Sequence, residues 1–255
     1  AMGATPQAAT INVILPRMST DLQKRTLTEI MQSADRVLRE AGAAIVGGHT
    51  SRGDEMTIGF TITGLVKSTP ITIAGARAGD VLILTKPVGS GVIMAAEMAG
   101  AARGEDVITA LDLMCQSQAK AASILSKAHA MTDVTGFGLA GHLAGICEAS
   151  NVAATLKLNH IPIMNGALEL CQSGTRSTLF QDNFAGIDSI FGATGPRADL
   201  LFDPQTAGGI LAAVSPRSAP SMLKKLHAAG YTAALIGSLG QGHGIHVITN
   251  DPESA

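Results

Sequence analysis

Three short apolar runs in this chain each end in a glycine-bearing turn that also carries a hydroxyl or a carboxylate: GGHT at 47–50, TDVTGFG at 132–138 and DPQTAGG at 203–209. A strand running into such a turn leaves backbone N–H groups and hard oxygen ligands at a sheet end, the arrangement by which layered α/β folds meet phosphates and their counter-ions. The composition demands close packing. Of 255 residues 29 are glycine and none is tryptophan, aromatics are 3% and hydrophobic residues 46%. The core must therefore be built from small and aliphatic side chains, with backbones approaching closely. The length admits one large domain or two of ordinary size.

The middle turn sharpens the question. Gly136, Gly138 and Gly141 fit the spacing G-x-G-x-x-G, a dinucleotide fingerprint. That fingerprint also needs an acid about 20 residues on, to hold a ribose. The stretch at that distance, ATLKLNH at 154–160, has none. What remains is Asp133, a carboxylate presented at a strand end beside a helix start, which suits a cation bound to phosphate. Neither a Walker A sequence nor a G-x-S-x-G nucleophile motif occurs.

Periodicity places the turns. PQAATINVIL predicts a strand, and residues 19–42 predict a helix capped by Ser19 or Thr20 and ended at Gly42, burying Leu27, Ile30, Met31, Ala34 and Leu38. AAIV predicts a short strand entering the loop GGHTSRGDE. Met56, Ile58, Phe60 and Ile62 alternate as the inner face of a half-buried antiparallel strand. Pro70, Gly75 and Gly79 break the pattern, setting a boundary near 68–74 and two domains, 1–73 and 74–255. Beyond it the expected order is strand DVLILTKP, turn VGSG, two helices to about residue 130, strand MTDV, a helix from GFGLAGHLAGICEAS, strand VAATLKL and a helix from NGALELCQ. Then come strand ADLLFDP, turn QTAGG, strand ILAAVS, helix APSMLKKLHAAG, and strands TAALIG and GIHVIT. This alternation is that of an α/β domain.

Each candidate has a plain alternative. His49 binds phosphate, moves a proton or bonds its own loop. His142 packs on its helix, and with His129 it lacks the H-x-x-x-H spacing of a metal pair. Asp203 is a second metal ligand or the start of a tight turn, and Thr206 follows in the same turn. Lys86, in TKPVGSG, touches phosphate or stands in solvent. Cys115, Cys147 and Cys171 form no C-x-x-C pair and read as small buried hydrophobes of a reduced, cytoplasmic protein. A formal net charge of −2 with no Lys/Arg run argues against nucleic acid as the main partner. No apolar stretch reaches the length of a membrane span, and the first residues show no basic region followed by an apolar stretch, so a soluble, unexported chain is expected.

IVGGHTSRGDEMTIGFTITGLV, GDVLILTKPVGSGV, TDVTGFGLAGHL and LLFDPQTAGGILAAV together resemble selenophosphate synthetase (selenide, water dikinase), nearly end to end and in the family's order. The opening AMGATP resembles the segment that follows that family's Asp-bearing motif. Aminoimidazole ribonucleotide synthetase, thiamine-monophosphate kinase and the hydrogenase-maturation dehydratase share the superfamily. The resemblance implies a two-domain α/β (α+β) fold of the aminoimidazole ribonucleotide synthetase type. Its N-terminal domain, truncated here, would supply half of a dimer-forming β-barrel, followed by a C-terminal α/β sandwich. It implies a homodimer with shared nucleotide sites, Mg2+ and ATP, and the conversion of ATP, selenide and water to selenophosphate, AMP and phosphate. It assigns Asp133 to magnesium, and Gly47, Gly48, His49 and Thr50 to ATP across the protomer boundary. Thr135, Gly136, Gly138, Asp203 and Thr206 fall in its phosphate turns. The family's Cys or selenocysteine nucleophile, its Lys and further Asp residues lie before the equivalent of Ala1, so the catalytic residues are unassigned and the 255 residues alone are expected to be inactive. Another kinase of the superfamily, or a non-catalytic nucleotide-binding module, is the alternative.

Overall fold

Ile11, Val13 and Leu15 point to one side of the first strand, β1 (Thr5–Pro16), and meet Leu27, Ile30, Met31 and Ala34 of helix α1 (Thr20–Glu40) in the computed structural model, which describes residues 1–66 and 69–249. The expected stripe of α1 is the packed one. Ser19 caps the helix by accepting the Leu22 N–H at 3.4 Å, and Gly42 follows the end at φ 80°. β2 (Ala44–Gly53) pairs parallel to β1, and β3 (Thr57–Leu65) pairs antiparallel on its other side, giving the order β2-β1-β3.

Two expectations for this unit change. GGHTSRG is not a loop: Gly47, Gly48, His49 and Thr50 continue β2, opposite Thr10, Ile11, Asn12 and Val13. Pairing along β1 overrides the lack of an apolar pattern, and glycine is required at 48, where a Cβ would lie 2.1 Å from the Ile11 carbonyl oxygen. The alternating face of β3 is exposed rather than half-buried, with Ile58 at 43%, Phe60 at 44% and Ile62 at 56%. Those side chains form one wall, and Ile30, Ala34 and Val37 of α1 the other, of an apolar groove of about 570 Å³.

The chain divides by contact into Gly3–Pro70 and a second unit from Ile71 on, which takes in Ala1–Met2. Residue 68 of the expected boundary stretch lies outside the described residues. The second unit is built on a mixed sheet. Its strands are β4 (Val81–Leu84), β5 (Ala130–Asp133), β6 (Ala153–Lys157), β7 (Ile190–Phe191), β8 (Ile210–Val214), β9 (Ala234–Gly240) and β10 (Ile245–Ile248), in the order β5-β8-β4-β9-β6-β10-β7. Residues alternate between two cores. Leu82, Leu84, Leu211 and Ala213 face helices α2 (Ser90–Met98) and α5 (Gly138–Ser150), whereas Ile83, Ala212 and Val214 face α4 (Ala119–Ile124) and α9 (Ala219–Ala228). Three helices, not two, fill the stretch to residue 130, because α3 (Gly104–Cys115) stands between α2 and α4. Helices α6 (Ala167–Gln172) and α7 (Phe180–Ala185) follow β6.

ADLLFDP is not a strand. α8 (Pro196–Asp199) is followed by irregular chain, with Leu200, Leu201 and Phe202 no more than 1% exposed. A short apolar run buried on every side carries no periodicity to tell strand from loop.

Candidate functional site

β4 and β5 run parallel, each antiparallel to β8, so the residues after β4, after β5 and before β8 share one end of the sheet. The turns TKPVGSG, TDVTGFG and DPQTAGG therefore meet there. Glycine makes the meeting possible: a Cβ on Gly208 would sit 2.2 Å from the Val134 carbonyl oxygen, and one on Gly209 would sit 2.5 Å from the Lys86 nitrogen. Val134 N–H donates to Gly209 O at 2.8 Å, and Ile210 N–H donates to Thr85 Oγ1 at 2.7 Å.

Asp133, the last residue of β5, is exposed. The backbone behind it is committed to the protein. Thr135 N–H donates to His142 Nε2 at 2.9 Å, and the Thr135 carbonyl accepts from Gly138 N–H and Gln205 N–H, both at 3.0 Å. Asn183 Nδ2 donates to Gly136 O at 2.8 Å. Gly138 takes φ +69°, and a Cβ there would stand 2.7 Å from the Leu201 carbonyl oxygen. The amides of residues 134, 135 and 138 thus point inward, while the Asp133 carboxylate and the 69%-exposed Phe137 ring face solvent.

Asp203 is 3% exposed and faces the start of α2. Its Oδ2 accepts from Gly91 N–H and from Gln205 Nε2, each at 3.0 Å. Gln205 Oε1 accepts from Gly89 N–H at 3.0 Å and from Ser90 N–H at 3.2 Å, and Ser90 Oγ accepts from Thr206 N–H at 3.0 Å. Together they cap a helix whose N-cap residue, Gly89, has no side chain. Burial pushes the Asp203 carboxyl up to about 6, against the pull of the Val92 and Gly91 amides and Gln205. Thr206 itself is exposed.

Lys86 is 1% exposed, not a solvated turn lysine. Its Nζ donates to Ala207 O at 2.8 Å, and burial pushes its pKa down to about 8. His142, 2.9 Å from the Thr135 amide, is held below its usual range by burial, with Asp133 pulling the other way. Burial raises the thiols of Cys147 and Cys171 to about 11, while Cys115 is exposed. Gly47, Gly48, His49 and Thr50 belong to the other unit, exposed on β2, an edge strand of its sheet.

Among the described residues no three His, Cys, Asp or Glu side chains gather to hold a metal. A lone exposed carboxylate fits magnesium in the manner of nucleotide sites, where one or two carboxylates complete a shell of waters and substrate phosphates. Ser90, Gln205, His142 and Asn183 were not singled out for these roles by sequence reasoning. Gln205 and His142 lie inside the quoted motifs, but their partners are distant or across the turn.

The pattern described as "AIR synthase related protein, N-terminal domain" matches residues 1–66, and its C-terminal counterpart matches 77–250. A selenide, water dikinase of Myxococcus xanthus is 38% identical over 258 residues, covering 97% of this chain and 72% of that protein. One of Geobacter metallireducens is 35% identical over 245 residues, covering 94% and 71%. Among solved structures, Escherichia coli hydrogenase maturation protein HypE superposes with a TM-score of 0.75 at 21% identity, covering 98% of this chain and 74% of that one. Thiamine-monophosphate kinase from Stenotrophomonas maltophilia gives 0.72 at 21%, covering 97% and 73%. These two establish the fold.

Proposed function

The chain belongs to the selenide, water dikinase family of AIR synthase related proteins, and from that membership we propose that it serves the ATP-dependent formation of selenophosphate from selenide and water, with release of AMP and phosphate. The observation that carries the site is Asp133: an exposed carboxylate at a sheet end whose supporting amides are turned inward. An exposed carboxylate recognises a cation. Magnesium held there with the nucleotide would neutralise charge on the phosphates. Asp133 orients it. The three interlocked turns keep the carboxylate at the rim, and Gly47, Gly48, His49 and Thr50 are proposed to contact ATP from a second protomer.

The uncovered face of β3 supports a homodimer, since Ile58, Phe60 and Ile62 form an apolar row that a second copy would bury. A cytoplasmic setting is part of the same proposal, and no helix among the described residues is long and apolar enough to cross a membrane. The buried thiols of Cys147 and Cys171 are unsuited to nucleophilic attack. Cys115 is exposed but lies outside any segment resembling the family's nucleophile motif, so the 255 residues alone are proposed not to turn over, the nucleophile being supplied from the segment that the resemblance places before Ala1. Product chromatography with the chain extended by that segment tests the substrate. AMP formed from ATP only when selenide is present supports the reading, and ADP formed with thiamine monophosphate instead of selenide rejects it.

A further inference from the structure

We propose that His142 and Asn183 are positioning residues that lock the Asp133 turn in the conformation in which its carboxylate meets a nucleotide-bound divalent cation. The inference rests on the reading of Asp133 above. Between the end of β5 and the start of α5 the chain has no ladder of its own, and Gly136 adds freedom, since nothing lies within 4 Å of where its Cβ would be. Two side chains from different helices add to the backbone bonds of Val134 and Thr135 in removing that freedom. His142, on α5, accepts the Thr135 N–H at 2.9 Å, and Asn183, on α7, donates to the Gly136 carbonyl at 2.8 Å. The peptides on either side of the Thr135–Gly136 unit are thus held, Val134–Thr135 through its N–H and Gly136–Phe137 through its carbonyl, within three residues of the carboxylate.

Each grip is itself fixed. Asn183 Nδ2 also donates to Phe202 O at 2.9 Å, and Phe202 is fully buried, so the turn is tied to the core. The His142 ring leans on Phe137 with centroids 5.9 Å apart. Because Nε2 accepts an amide proton, the ring proton belongs on Nδ1, so only one tautomer serves. Neither residue needs to touch metal or nucleotide. A partner bonded directly to a ligating side chain is worth about 10- to 100-fold in metal affinity, and residues that fix the ligand's backbone belong at the lower end of that range.

The test is water-proton relaxation by Mn2+ with ATP and the 255-residue chain, beside thermal unfolding. His142→Leu should weaken Mn2+–ATP binding by about tenfold. His142→Gln, whose amide oxygen accepts the same N–H, should restore most of the loss, and Asn183→Leu should mimic His142→Leu. Wild-type affinity in His142→Leu, with Asp133→Asn weakened, overturns the positioning role alone. So does a loss equal in His142→Leu and His142→Gln that tracks lowered melting temperatures. Unchanged affinity in Asp133→Asn overturns the metal reading beneath it.

Discussion

Asp203→Asn separates a helix cap from a metal ligand, and its effect follows from one number. Burial raises the Asp203 carboxyl from 3.8 to about 6. The native state therefore holds this proton more tightly than the unfolded chain does, and between about pH 4 and pH 6 it binds more protons. Unfolding free energy falls as pH rises through that window, by about 3 kcal/mol once pH exceeds both values. From pH 4.5 to 7 the loss works out at about 2 kcal/mol. Asparagine keeps an oxygen for the Gly91 amide, at 3.0 Å in the wild type, and cannot ionise. Urea unfolding at the two pH values measures the difference, read through Tyr231, the single tyrosine of a tryptophan-free chain, in the unit that holds Asp203. The variant should gain about 2 kcal/mol on wild type between pH 4.5 and 7, with Mn2+–ATP binding unaltered. An equal stability difference at both pH values refutes the burial argument.

Two further substitutions probe the same sheet end. Gly138→Ala forces a Cβ to within 2.7 Å of Leu201 O at φ +69°, and the left-handed penalty alone is about 1–2 kcal/mol, so thermal unfolding should show a loss of at least that size. Lys86, pushed down to about 8 by burial, binds its proton less tightly in the native state. Wild-type stability should therefore rise from about pH 8 to about pH 10, and Lys86→Met should lose that rise in urea unfolding at pH 7.5 and 9.5.

Much of the scaffold was legible because its signals are local. The cap at Ser19, the stripe from Leu27 to Leu38 and the strands around Leu82, Ala212 and Ile236 each follow from periodicity within a dozen residues. The failures are non-local. GGHTSRG became strand because β1 extends alongside it, and LLFDP became buried irregular chain because neighbours enclose it on all sides. Asp133 could be picked out as a carboxylate between a strand and a glycine turn. The fate of Asp203 could not, since the amide it caps, Gly91, is 112 positions away. Lys86 defied the rule that a turn lysine stands in water, because the turn carrying Ala207 closes over it.

The central claim is that Asp133 serves selenide-dependent phosphoryl transfer. Phosphorus NMR tests it most directly, on ATP, magnesium and selenide with the chain extended by the upstream segment and with its Asp133→Asn variant. The account predicts selenophosphate, AMP and phosphate from the extended chain and none from the variant. ADP without a selenium-bound phosphorus signal, or undiminished selenophosphate from Asp133→Asn, would contradict it.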